Sequence, residues 1–125
     1  MLRKIAVLAV MSTLAFALSA PVFADSAVVM RVVTVKTDDV SAYMHELENA
    51  RVMFRRLGIA AQIRVWRATF AGPNTGSVAV SQEFASMTAF ADAMTKVSAD
   101  AEYGKWLKNL DKVRTIVSDS LYKEL

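Results

Sequence analysis

Chemistry in this chain would have to come from a short set of side chains. His45 is the only histidine, and its ordinary pKa near neutrality suits a general base. It stands two residues from both Tyr43 and Leu47, so at about 100° per residue it lies about 200° around a helix from each. If those two face a core, His45 faces water, and a solvated surface histidine is the plainer reading. One histidine does not make a multi-histidine metal site. A haem needs only one axial ligand, but an outward side chain does not supply it.

Arg64, Trp66 and Arg67 form a second group. On a strand, Arg64 and Trp66 share one face and Arg67 takes the other. A Trp beside an Arg on a concave sheet can orient an anionic aromatic ligand by stacking and charge. The alternative is a half-buried Trp in a subunit interface with its arginine in water. Glu83 could serve as a pocket acid, or pair with Arg31, Arg64 or Arg67 across a sheet. Tyr43 and Trp106 fall on apolar helix faces, where they either line a cavity or belong to an ordinary core. Trp66, Arg64, Glu83, Tyr43 and Trp106 are therefore the candidate ligand shell, and no catalytic residue is assigned.

Several chemistries are absent from the sequence. There is no cysteine, which excludes zinc–thiolate sites, iron–sulfur clusters and thiol catalysis. No Gly-rich dinucleotide loop, phosphate loop, nucleophile elbow or zinc-protease motif occurs. Ser118, Asp119 and Ser120 lack a histidine partner and are not read as a triad. No cofactor or metal is implied. The methionines beyond the leader are scattered and read as packing residues.

The elements that must position these groups follow from patterning. Residues 27–36 (AVVMRVVTVK) are β-branched and nearly all apolar, with Arg31 the one interior charge. Such a run reads as a strand covered on both faces. Asp38 and Asp39 open a helix whose apolar stripe is Val40, Tyr43, Leu47, Ala50, Phe54 and Leu57, and Gly58 ends it. Residues 61–70 and 77–84 flank the turn cluster Ala71-Gly72-Pro73-Asn74-Thr75-Gly76 and read as a long-looped β-hairpin. Ser86 caps a second helix with Phe90, Ala93, Met94 and Val97 inward. Asp100 caps a third, Ala101–Leu110. The last strand covers residues 113–122. The order β-α-β-β-α-(α)-β is the split βαβ pattern: an α+β, ferredoxin-like sandwich with a four-stranded antiparallel sheet and helices on one face.

Bulk properties place the chain in the cell. Arg3 and Lys4 precede an apolar run over residues 5–18, and Val22-Phe23-Ala24 offers a small-residue cleavage site. Residues 1–24 therefore read as a secretory signal peptide. The competing reading, an uncleaved anchor, asks for a longer span of about 20 apolar residues. Cleavage leaves 125 − 24 = 101 residues, one domain over residues 25–125, periplasmic or secreted, with no remaining membrane span. The full chain carries a formal charge of +3 and a pI near 9.4. Without Arg3 and Lys4 the balance is 13 basic against 12 acidic residues, so nucleic acid is not an expected partner.

Val28, Met30 and Val32 on one parity, and Val29, Val33 and Val35 on the other, make both faces of the first strand apolar. Helices cover one face, so a second copy of the chain is expected on the other. The run from Phe70 to Val78, the pair Glu83-Phe84 and the segment Ser98-Ala99-Asp100-Ala101-Glu102-Tyr103 resemble the dimeric α/β-barrel superfamily, in particular its NIPSNAP-like and antibiotic-biosynthesis-monooxygenase-like small domains. The resemblance implies a homodimer with a shared barrel and does not imply a reaction. Two functions stay open: a binding or structural dimer that takes a small apolar or aromatic ligand, and a cofactor-independent monooxygenase or isomerase. A closed aromatic cavity with a buried polar pair favours the second; a cavity filled by side chains favours the first.

Overall fold

In the computed structural model the described residues are 27–125; the expected signal segment and the expected first mature residue, Asp25, lie outside them. The elements run β1 (Val29–Lys36), α1 (Val40–Arg56), β2 (Gln62–Arg67), a 3-10 turn (Gly72–Asn74), β3 (Val78–Phe84), α2 (Met87–Ala99), α3 (Ala101–Leu110) and β4 (Thr115–Lys123). The strands form one sheet in the order β2-β3-β1-β4, and every neighbouring pair is antiparallel. This is the ferredoxin-like α+β architecture expected from the sequence.

Local chemistry sets the helix ends where it was expected to. The Asp39 carboxylate accepts from the Ala42 amide at 2.9 Å, Ser86 Oγ from Ala89 at 3.0 Å, and Asp100 from Tyr103 at 2.9 Å. Each satisfies one orphan N–H of a first turn. At the far end of α1, Gly58 adopts φ +69°. The Ile59 amide donates to Phe54 O at 2.8 Å and the Gly58 amide to Arg55 O at 3.1 Å. This is a Schellman closure, which needs a left-handed residue at the glycine.

Two boundaries differ from the sequence expectation. β2 ends at Arg67 rather than near residue 70. Beyond it the hairpin is closed by Ala68 N–H to Ser77 O at 2.9 Å and Gly76 N–H to Ala68 O at 2.7 Å, and Pro73 joins the 3-10 turn rather than a strand. Val113 is not yet strand: its amide donates to Leu110 O at 3.0 Å and completes the turn that leaves α3.

Strand alternation sorts the sheet into two faces. Val29, Arg31, Val33 and Val35 of β1, Val78, Val80, Gln82 and Phe84 of β3, and Ile63 of β2 lie on the helix side. There Val33, Val35, Ile63, Val78, Val80 and Phe84 pack with Tyr43, Leu47 and Phe54 of α1, Ala93 and Val97 of α2, and Leu110 of α3. The opposite, open face carries Met30, Val32 and Thr34, then Ala79, Ser81 and Glu83, then Arg64 and Trp66, then Ser118, Ser120 and Tyr122. It is more polar than β1 alone suggested, because β3 and β4 bring serines and an acid to it. A register shift between Thr34 and Val35 leaves Val117 as an extra residue in β4, a bulge that re-aims the start of that edge strand.

Candidate functional site

Between the helices and the sheet lies a cavity of about 50 Å³. Its floor is Val33, Val80, Ile63, Gln82, Arg31 and Asp119; its roof is Tyr43, Leu47, Ala50 and Phe54 of α1 with Tyr103, Trp106, Leu107 and Leu110 of α3. Arg114 and Ile116 also line it. It reaches the surface between α3 and β4, where the lining residues Leu107 and Ile116 are 37% and 47% exposed.

Aromatic packing builds the roof. Tyr103 stacks near Phe54 with ring centroids 6.4 Å apart and meets Trp106 at 5.1 Å, spacings at which aromatic pairs attract beyond their buried area. The Trp106 indole N–H donates to the Glu46 carbonyl at 3.2 Å, which ties α3 to α1 and satisfies the one polar atom of the ring. The N-terminus of α3 is held by Arg56, which reaches Asp100 at 2.6 and 3.2 Å and Glu102 at 3.1 Å. Asp100 thus caps α3 and ties it to α1. The Arg56 guanidinium, followed by the Tyr103 amide, holds the Asp100 carboxyl below its usual range.

The polar equipment of the cavity is compact. Arg31 grips Asp119 with two hydrogen bonds, Nε to Oδ1 at 2.9 Å and Nη2 to Oδ2 at 2.6 Å, the bidentate geometry that makes such pairs strong. Its remaining nitrogen, Nη1, has only the Met94 sulfur at 3.8 Å, a weak acceptor. Hydrogen bonding to Asp119 raises the pKa of Arg31, and hydrogen bonding to Arg31 lowers that of Asp119, burial opposing both. Tyr43 is fully buried, and its hydroxyl has no hydrogen-bond partner. Burial pushes its pKa up, while the adjacent Arg114 guanidinium, through hydrogen bonding and charge, pulls the other way. Burial likewise raises Tyr103, with Arg31 and Arg114 opposing. Gln82 Oε1 is the second buried atom without a partner.

The five candidates from the sequence fall on two sides of the sheet. Tyr43 and Trp106 line the cavity. Arg64, Trp66 and Glu83 are on the open face, where the Trp66 indole N–H donates to Ser81 Oγ at 2.8 Å and the ring remains 52% exposed. Glu83 borders a shallow depression there with Met30 and Tyr122. The sheet therefore separates the two groups. Arg31 bonds Asp119 rather than Glu83, which lies on the opposite face of the sheet. His45 is exposed. Among the described residues, no group of three His, Asp or Glu side chains could hold a metal ion, and no helix is long and apolar enough to cross a membrane.

Arg31, Gln82, Asp119 and Arg114 were not singled out as site residues by sequence reasoning. Arg31 gave the clearest signal, as the one charge inside an apolar strand; the others depend on register.

No protein-family model matches this sequence, and no curated protein matches it. Solved structures do share its fold. A NIPSNAP family protein from Agrobacterium tumefaciens superposes with a TM-score of 0.58 at 15% identity, over 79% of this chain and 83% of that one. An uncharacterized NIPSNAP-like domain protein from Burkholderia xenovorans gives 0.57 at 13% identity, over 81% and 85%. SnoaB, a cofactor-independent oxygenase from Streptomyces nogalater, gives 0.54 at 15% identity, over 79% and 92%. At these identities the likeness establishes the ferredoxin-like fold and nothing about chemistry.

Proposed function

We propose that this protein binds a small apolar or aromatic molecule in the cavity between α1, α3 and the sheet. One observation carries the reading: Tyr43 Oη and Gln82 Oε1 are both buried without partners at the same aromatic-walled cavity. Leaving a buried polar atom unpaired costs about 1–3 kcal/mol. A guest that completes both atoms, with water in its place when the cavity is free, accounts for their being retained there. Indole, a neutral aromatic probe, should bind saturably in calorimetric titration. Ala50→Leu, which extends a side chain from α1 into the cavity, should abolish that binding while the protein still melts cooperatively. Undiminished binding to folded Ala50→Leu protein would put the site elsewhere.

The same cavity supports a second reading, cofactor-independent oxygenation or isomerisation, favoured by the placing of a polar pair within an aromatic enclosure. In that chemistry the substrate supplies much of the reactivity, so few protein groups are required. Dioxygen uptake on addition of a phenolic aromatic, absent in Tyr43→Phe, would support it; no uptake with any phenol that binds would leave binding alone.

The proposal extends to compartment and assembly. Arg3, Lys4 and the apolar run after them support export with cleavage after Ala24. Met30, Val32, Trp66 and Tyr122 on the open face support a homodimer paired through that face. N-terminal sequencing of exported protein should begin at Asp25, and the melting temperature should rise with protein concentration.

A further inference from the structure

We propose that this cavity holds an oxyanion site, built by Arg114 and Tyr43, and that it selects aromatic carboxylates over neutral aromatics. The inference rests on the cavity reading above and adds the charge of the guest. The charged groups that line the cavity are two guanidiniums, Arg31 and Arg114, against a single carboxylate, Asp119. Asp119 is already committed to Arg31 through both of its oxygens. No carboxylate of the cavity lining bonds Arg114, whose ion-pair partner, Asp111, is not a lining residue.

Its setting is unusual for an arginine at the entrance to an edge strand. The Arg114 side chain is only 8% exposed. Its ion-pair partner, Asp111, is largely exposed and offers a single oxygen, Oδ1, to Nε at 3.4 Å and Nη2 at 3.3 Å. Those are long for charge-assisted bonds, which are normally about 2.7–2.9 Å. The guanidinium also lies close enough to the Tyr43 hydroxyl to act on it directly. A guanidinium this buried normally has its donors met. The Tyr43 hydroxyl beside it is unmet. A guanidinium fork and a phenolic O–H lining one cavity are complementary to the two oxygens of a carboxylate.

Size fixes how such a guest would lie. A dry cavity that accepts benzene is about 150 Å³, whereas this one is about 50 Å³. It has room for a carboxylate and the first ring atoms. The rest of the ring would then lie at the mouth between α3 and β4, against Leu107 and Ile116.

The test compares benzoate with benzyl alcohol, the same ring with a neutral head, by calorimetric titration of the purified protein at neutral pH. Benzoate should bind at least about tenfold more tightly, as one charge-assisted interaction allows. Arg114→Met should remove that preference and leave benzyl alcohol binding in place, and Arg114→Lys should restore part of it. Should Arg114→Met not fold, Tyr43→Phe carries the same comparison and should reduce the preference severalfold. Equal affinity for the two ligands, or a preference that survives both substitutions, overturns the oxyanion site while the cavity still binds. Failure of benzoate, benzyl alcohol and indole alike overturns the cavity reading together with it.

Discussion

The two faces of the sheet use the same side-chain types to opposite ends. On the open face, Trp66 and Ser81 complete one another at 2.8 Å, and Ser81 is only 5% exposed. On the helix face, Tyr43 and Gln82 are buried and incomplete. A finished polar pair on a sheet stabilises the scaffold; unfinished ones at a shared cavity mark a place where something else is expected. Aromatic and charged residues occur on both faces, so residue type does not separate scaffold from site. Satisfaction of hydrogen bonds does.

The largest effect that would break this contrast is expected at the cavity floor. Asp119→Ala leaves Arg31, with a side chain only 27% exposed, without its carboxylate. Fully buried pairs cost about 3–5 kcal/mol when broken. Asp119 is 39% exposed, so solvent screening reduces this to about 1–2 kcal/mol, measurable by urea unfolding. The pH dependence has a fixed sign. The folded pKa of Asp119 is lowered by Arg31. Its contribution is therefore complete above the unfolded value of about 3.9 and is lost as pH falls through the folded value. Wild type and Asp119→Ala should converge in stability in strong acid; a constant gap down to that range would contradict the assignment.

Next in size is the open-face pair. Trp66→Phe removes one neutral hydrogen bond and should cost about 1 kcal/mol while leaving cavity binding unaltered. Lost indole or benzoate affinity in this variant would join the two faces into one site.

Tyr43→Phe is the smallest in stability and the sharpest in meaning. Removing a buried hydroxyl that bonds to nothing should leave stability unchanged or raise it by up to about 1 kcal/mol, with ligand binding weakened. Such an exchange of stability against function is expected where a site carries unmet groups. A loss above 1 kcal/mol would mean that the hydroxyl is already satisfied. Arg56→Ala, at the surface, should change global stability little. It should speed amide hydrogen exchange in α3 severalfold, because it frees Asp100 from α1.

Much of the fold was legible because its signals are local. Asp39, Ser86 and Asp100 cap helices within three residues of themselves, and Gly58 closes α1 through its own φ. The strand order needs no more than the sequence of elements. The site was less legible, for two reasons. The two parities of β1 are almost equally apolar, so the sequence does not say which faces the helices, and Tyr43 and Trp106 could not be separated from Trp66, Arg64 and Glu83. Arg31 and Asp119 are 88 residues apart and meet through the β1–β4 register, next to the bulge at Val117. Arg114 draws its role from burial at a strand entrance that the sequence placed one residue inside the strand.

The most direct measurement uses the two tryptophans, one on each face. The indole N–H resonances of Trp66 and Trp106 can be followed in a proton–nitrogen correlation spectrum during titration with benzoate, and assigned with Trp66→Phe. The cavity site predicts that the Trp106 resonance shifts with saturation while that of Trp66 stays in place. A saturable shift of Trp66 with Trp106 unmoved would place the ligand on the open face and contradict the assignment of function to the cavity.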